Sequence, residues 1–155
     1  MTIKVRQAQI SDQHELAKMR ALLWPDSSME EHHKELDSVL RSHMNGTLPM
    51  TILVSQDEGG ALTGFIEVGL RSHADGCDPA RPVGFVEGWF VNEASRTQGI
   101  GGALLRSAEA WARTQGCLEM ASDTWIDDET SLRTHQALGF EVVDRCVHFR
   151  KALSD

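Results

Sequence analysis

Two features of the sequence carry chemistry: a glycine loop and a small set of acids set among apolar residues. Arg96-Thr97-Gln98-Gly99-Ile100-Gly101-Gly102 joins an apolar run to an amphipathic one. Glycines there let the backbone approach a ligand with no Cβ in the way. The first amides of a helix opening at this point lack intrahelical partners, and its dipole adds partial positive charge, so the end accepts a pyrophosphate. Arg96 adds a charged contact. The same residues also make a plain strand-to-helix turn, and the loop alone does not choose between the two. It is not a Walker loop, because no Lys-Ser or Lys-Thr follows the last glycine. Nor is it the dinucleotide fingerprint, which needs G-x-G-x-x-G after the first strand of a βαβ unit.

Glu87 lies inside the apolar run Val83–Val91, which reads as a buried strand. An unpaired acid there is costly. It is either paired with an arginine as a structural ion pair or aimed at a cationic ligand. Asp123 closes a short strand and serves either as a turn or cap residue or as a second carboxylate of the same site. Asp127, Asp128 and Glu129 continue the acidic run, and the first and last of these read as solvated loop residues. Trp24 offers a flat face for stacking on a ligand or packs as a core aromatic behind Pro25. Cys77, Cys117 and Cys146 are odd in number and form no C-x-x-C pair, which argues against a disulfide scaffold or a thiolate zinc site and for a reducing, cytoplasmic setting. As lone cysteines, Cys77 and Cys117 read as packing residues rather than nucleophiles. His32-His33 on a polar helix reads as solvated, and no metal site is expected.

The elements that must position these residues follow from the pattern. The chain has 155 residues, 41% of them hydrophobic, which suits one globular domain, taken as 1–155. No stretch approaches a membrane span, and Met1 to Arg6 lacks the apolar region of a signal peptide. Fifteen basic residues against 23 acidic ones give a net charge of −8, which argues against nucleic-acid and anionic-membrane partners and suits a cationic one. Thr2–Ala8 alternates as a strand. Ser11 is placed to cap a helix to Trp24 with Leu16, Met19, Leu22 and Leu23 on its apolar stripe, and the Trp-Pro step ends it. Ser28-Met29-Glu30-Glu31 is a capping box for a second helix to about His43. Strands at 50–55, 61–70 and 83–91, a helix at 103–115, a strand at 117–122 and a helix at 129–138 follow, with closing strands at 140–143 and 145–151. Helices alternating with strands imply an α/β fold with a mixed sheet.

A resemblance now enters. Val91 to Leu105, with Gln98-Gly99-Ile100-Gly101-Gly102 at its centre, resembles the acetyl-CoA loop of the GCN5-related N-acetyltransferases (GNAT), whose pattern is Q/R-x-x-G-x-G/A after a strand ending in valine. His135-Gln136-Ala137-Leu138-Gly139-Phe140 resembles the family's segment ending in Leu-Gly-Phe. Leu23-Trp24-Pro25, Asp75-Gly76-Cys77-Asp78, Phe85-Val86-Glu87-Gly88, Glu119 to Thr124 and Phe149-Arg150-Lys151 are similar to one branch, the small dimeric aminoglycoside 6'-N-acetyltransferases. The resemblance implies the GNAT fold, a mixed central sheet flanked by helices, a homodimer, and direct acetyl transfer from acetyl-CoA to the 6'-amine of an aminoglycoside. It implies that Trp89, Phe90 and Val91 pair with the pantetheine arm, and that Arg96, Thr97, Gln98, Gly99, Ile100, Gly101 and Gly102 hold the phosphates. It also puts Asp128 where the family has a cofactor-contacting asparagine. Trp24, His73, Glu87, Asp123 and Asp144 stand at substrate-contacting positions, Asp144 from either subunit of the dimer. Glu87 is the expected base and Asp123 the group that positions the ammonium. The chain has no tyrosine, so the family's tyrosine acid is missing. The branch's substrate-loop tyrosine is also absent, and His73 is either its substitute or a solvated residue. An acetyltransferase for another polyamine or a protein amine, and a non-catalytic acyl-CoA-binding module, are the competing readings.

Overall fold

In the computed structural model, which describes residues 2–155, β1 (Lys4–Gln7) is followed by a 3-10 turn and α1 (Gln13–Leu23), then α2 (Met29–Ser42). The two-residue β2 (Met44–Asn45) turns into β3 (Leu48–Gln56), and β4 (Leu62–Arg71) and β5 (Val83–Val91) continue the sheet. After a second 3-10 turn come α3 (Ile100–Thr114), β6 (Met120–Ser122) and α4 (Glu129–Ala137). The chain forms two compact units that part after Asp123. No helix among the described residues is long and apolar enough to cross a membrane.

The sheet belongs to the first unit and has the order β1-β3-β4-β5-β6, with β2 paired to β3. β1, β3, β4 and β5 are antiparallel neighbours, and β6 joins β5 in parallel, so the expected mixed sheet is present. Leu16, Ala17 and Met19 of α1 and Leu36 and Leu40 of α2 pack with Ile52, Val54 and Phe65 of the sheet in one buried cluster. Leu104, Leu105, Ala108 and Ala112 of α3 are buried as well. The capping box forms as expected: the Glu31 amide donates to Ser28 Oγ at 3.1 Å, and the Ser28 amide to Glu31 Oε2 at 2.8 Å.

Several expectations fail for local reasons. Ser11 does not cap α1. Asp12 instead accepts the Gln9 amide at 2.7 Å and a two-pronged bond from Arg6 at 2.8 and 2.9 Å, so the chain enters α1 through a 3-10 turn. The Arg6 guanidinium holds the Asp12 carboxyl below its usual range. Leu22 does not join the apolar stripe and is exposed. His32 is buried rather than solvated, and its Nε2–H donates to the Trp24 carbonyl at 3.1 Å. Helix α3 starts at Ile100, so Gly101 and Gly102 form its first turn rather than a loop ahead of it.

The second unit, Thr124–Asp155, holds α4, whose N-cap is Asp128. The closing strands expected at 140–143 and 145–151 do not form. A strand needs a ladder partner for its amides and carbonyls. Val142, Val143, Val147 and Phe149 are exposed.

Candidate active site

The first unit's site follows from how two strands part. β5 and β6 run side by side through three pairs, Gly84 with Met120, Phe85 with Ala121 and Val86 with Ser122. The residues that come next are Glu87 on β5 and Asp123 on the chain leaving β6. On its other side β5 carries a bulge: Val86 pairs with Val68 and Gly88 with Glu67, so Glu87 is the extra residue. A bulge re-aims a side chain and increases local twist. It sits where β6 stops, so the sheet opens at the point where the two acids stand. Beyond Val86 no strand pairs with that edge of β5 among the described residues, which leaves room there for an extended ligand.

Glu87 is not the buried acid expected. Its side chain is 25% exposed and is held by a two-pronged ion pair, Arg71 Nε to Oε1 at 3.0 Å and Arg71 Nη2 to Oε2 at 2.9 Å. The Arg71 guanidinium lies on the Phe85 ring, 3.4 Å from its centroid, and its hydrogen bonds to Glu87, with the Glu87 and Asp123 charges, raise its pKa. Asp123 itself is exposed.

The buried acid is Glu67, one pair from the bulge. It is 4% exposed, and burial pushes its carboxyl up to about 7 against the opposing pull of Arg20. Arg20 Nε stands 3.3 Å from Glu67 Oε1, but neither atom is aligned for a hydrogen bond, whereas Arg20 Nη2 bonds Glu35 at 2.7 Å. The Arg20 guanidinium also lies 4.9 Å from the Trp24 ring. Trp24 in turn covers Gly88: a Cβ on Gly88 would stand 2.5 Å from Trp24 Cη2. Trp24 is thus half-buried against the strand that carries Glu87. His73 is exposed in the loop after β4, with its Nδ1 3.0 Å from Ser72 Oγ.

At the far end of β5 the glycine loop is shaped as a cradle. Thr97 and Gly99 take positive φ values of 64° and 82°, turning the chain sharply into α3. The first intrahelical bond runs from the Ala103 amide to the Gly99 carbonyl, so the amides of Ile100, Gly101 and Gly102 lie ahead of the ladder. A Cβ on Gly101 would make ordinary contact with the Trp89 ring at 3.7 Å and clash with nothing. Arg96 Nε donates to the Val91 carbonyl at 3.0 Å, clamping the loop to the end of β5. Thr97 and Gln98 are exposed. These groups suit a pyrophosphate, and a pantetheine arm leading from it has the open edge of β5 to follow.

The structure therefore brings together Trp24, Glu87 and Asp123 beside the middle of β5, with Trp89, Phe90, Val91 and the residues 96–102 continuing from it. Asp128 and Asp144 belong to the second unit. Asp128 Oδ1 accepts the Ser131 amide at 3.0 Å, and exposed Asp144 accepts the Arg145 amide at 2.7 Å. Cys77 and buried Cys117 are unsuited to be nucleophiles, since burial pushes both thiols up, for Cys77 with help from Glu119. Sequence reasoning missed Arg71 and Glu67. The signal for Glu67 was an acid inside the apolar run Phe65-Ile66-Glu67-Val68, of the same kind that singled out Glu87.

Known proteins resemble the chain over most of its length. Residues 16–140 match the model of the acetyltransferase (GNAT) family. The chain is 38% identical over 149 residues to an aminoglycoside N(6')-acetyltransferase type 1 of Klebsiella aerogenes, covering 96% of each chain. It is 39% identical over 136 residues to one of Serratia marcescens, covering 87% of this chain and 89% of that one. Among solved structures, AAC(6')-Iy in complex with the bisubstrate analogue CoA-S-monomethyl-acetylneamine is 29% identical and superposes with a TM-score of 0.89, over 99% of this chain and 100% of that one. The chain belongs to the GNAT family of acetyltransferases, and in sequence and fold it is homologous to the aminoglycoside 6'-N-acetyltransferases.

Proposed function

We propose that this protein transfers the acetyl group of acetyl-CoA to the 6'-amine of aminoglycoside antibiotics, directly, in a ternary complex. The observation that carries the reading is the parting of β5 and β6 at Glu87 and Asp123, beside a strand edge that leads to a phosphate-binding helix end. Relatives named for this reaction cover nearly the whole chain. The loop amides and Arg96 hold the phosphates, and the edge of Trp89, Phe90 and Val91 aligns the pantetheine arm. A backbone amide of β5 polarises the thioester carbonyl. The attacking amine must be neutral, and Glu87 accepts its proton, directly or through water, while Asp123 holds the ammonium form in place beforehand. Trp24, held against Gly88, presents its ring to a sugar, and His73 and Asp144 are further acceptor contacts. Asp128 adds a cofactor contact while capping α4. Holding both substrates in line supplies effective molarities that reach ~10⁵ M or more in favourable cases.

The finer reading is one N-acetyltransferase domain working as a cytoplasmic homodimer. Its support is the three free cysteines and the exposed apolar residues between Val142 and Leu153, which a second copy would cover. Sedimentation at micromolar concentration tests the dimer.

The reaction is tested by thiol release from acetyl-CoA with kanamycin, tobramycin, gentamicin and spermidine, and by NMR of the product. Acetylation at the 6'-amine is expected, and Glu87→Gln should lower turnover by ~10²–10⁴-fold with acetyl-CoA binding retained. Acetylation at the 3-amine, or spermidine as the preferred acceptor, would overturn the assignment.

A further inference from the structure

The pocket in which the acceptor's ammonium is to be held already contains a cation. Arg71 ends β4 and sends its side chain across the Phe85 ring to grip both oxygens of Glu87. We propose that Arg71 is a built-in counter-cation that holds the place of a substrate ammonium on Glu87. An amine is then accepted only when it brings enough positive charge to displace the guanidinium. The inference rests on reading Glu87 and Asp123 as the acceptor's carboxylates.

Three observations favour this over a plain structural staple. First, the pair has little to hold together: β4 and β5 are already joined along eight paired positions, from Gly64 with Val91 to Arg71 with Val83. Second, the Arg71 side chain is 45% exposed and that of Glu87 25%, so the bond is a replaceable one, of a kind that contributes little to stability. Third, Arg71 is the last residue of its strand and is exposed, and the irregular loop that carries His73 begins directly after it.

The charge balance gives the device its selectivity. Glu87 and Asp123 contribute two negative charges and Arg71 one positive charge. An acceptor with one ammonium can displace Arg71 only by exchanging one ion pair for another, with no net gain. A polycation replaces the pair and also places further ammonium groups in the field of Asp123, which Arg71 feels too. Arg71 therefore sets a threshold of charge below which amines are poor acceptors. A lysine at this position would keep the charge but lose the two-pronged grip and the flat stacking face.

The test compares Arg71→Met, Arg71→Lys, Glu87→Gln and the double variant Glu87→Gln/Arg71→Met. The acceptors are kanamycin and 6-amino-6-deoxyglucose, a sugar with a single ammonium. The readouts are kcat, KM and, where the sugar turns over slowly, its inhibition constant against kanamycin. Arg71→Met should tighten the monoamine by roughly fivefold, the worth of one exposed ion pair, and kanamycin by less, narrowing the preference for the polycation. Arg71→Lys should fall between, and KM for acetyl-CoA should not move. In the Glu87→Gln background the change at position 71 should have no effect, because the grip it removes is already gone. An unchanged preference in both single variants at position 71, or an undiminished effect without Glu87, overturns the inference. Failure of the underlying reading has a separate signature: Glu87→Gln with wild-type kcat and KM would take Glu87 out of the acceptor site altogether.

Discussion

Glu67 offers the sharpest quantitative test of the charge network beneath the site. Its carboxyl is raised from 4.5 to about 7, first by burial and then by Glu35 and Glu87, with Arg20 opposing. A carboxyl with a raised pKa binds its proton more tightly in the folded state than in the unfolded one. Its contribution to stability is therefore greatest below pH 4.5 and is lost as pH climbs through about 7. At 1.36 kcal/mol per pKa unit the loss is about 3 kcal/mol, and at 5% side-chain exposure it is not screened by solvent. Glu67→Gln keeps the shape and removes the titration. It also takes one partner from Arg20, which retains Glu35 at 2.7 Å. That change offsets the whole stability curve without altering its pH dependence. Denaturation of both proteins from pH 4 to pH 8 should show the variant gaining on wild type by about 3 kcal/mol, or roughly 6–12 °C in Tm for a domain of this size. Parallel curves across that window would mean that Glu67 stays ionised in the folded protein and that Arg20 compensates for its burial.

The remaining predictions concern ligands. Gly101→Val should abolish acetyl-CoA binding by calorimetry with an unchanged circular dichroism spectrum, because the branched side chain covers the helix amides while its Cβ fits against Trp89 and its backbone stays helical; retained affinity would move the phosphates elsewhere. Gly88→Ala should raise KM for kanamycin and leave KM for acetyl-CoA alone, since its Cβ at 2.5 Å from Trp24 must push the indole away. Equal effects on both substrates would deny Trp24 a place on the acceptor. Asp123→Asn should weaken the drug and reduce the salt dependence of its binding together, because it deletes one ionic contact that is screened beyond ~8 Å at physiological ionic strength. A salt slope equal to that of wild type would show that Asp123 does not meet an ammonium.

What could be read in the sequence depended on how far its causes lay apart in the chain. The capping box at Ser28, the span of β5 and the glycine turn into α3 were legible, since each is decided within a few residues. Ser11 and Leu22 were misread because the deciding partners were remote or tertiary: Asp12 answers to Arg6 on β1, and Leu22 lies outside the cluster that α1 forms with the sheet. The closing strands failed for a related reason. Residues 140–151 contain strand formers such as Phe140, Val142, Val143, Val147 and Phe149, but a strand is a pairing, and no strand pairs with this segment among the described residues. At the site, residue types pointed to Glu87, Asp123 and the loop, and the structure sets the two acids where β5 and β6 part. Arg71 was invisible, because its link to Glu87 depends on the register of β4 against β5 and on a side chain that crosses Phe85.

The bulge at Glu87 ties these results into one physical argument. An extra residue in β5 changes the phase of the strand, so Val86 still faces its partner Val68 while Gly88 faces Glu67. The missing Cβ at Gly88 makes room for Trp24, and Trp24 lies beside Arg20, which answers the buried charge of Glu67. The bulge that aims the expected base outward therefore also sets the aromatic wall and the buried acid behind it. This predicts a coupling that neither local contact would produce alone. Glu67→Gln frees Arg20 from one of its two carboxylates, so it should loosen Trp24 and raise KM for kanamycin, with kcat and acetyl-CoA affinity left near wild type. Indole fluorescence follows the ring directly: combining Glu67→Gln with Trp24→Phe should abolish the spectral change that Glu67→Gln causes on its own. A spectrum that shifts equally without Trp24, or a loss confined to kcat, would break the link between the buried acid and the acceptor's wall.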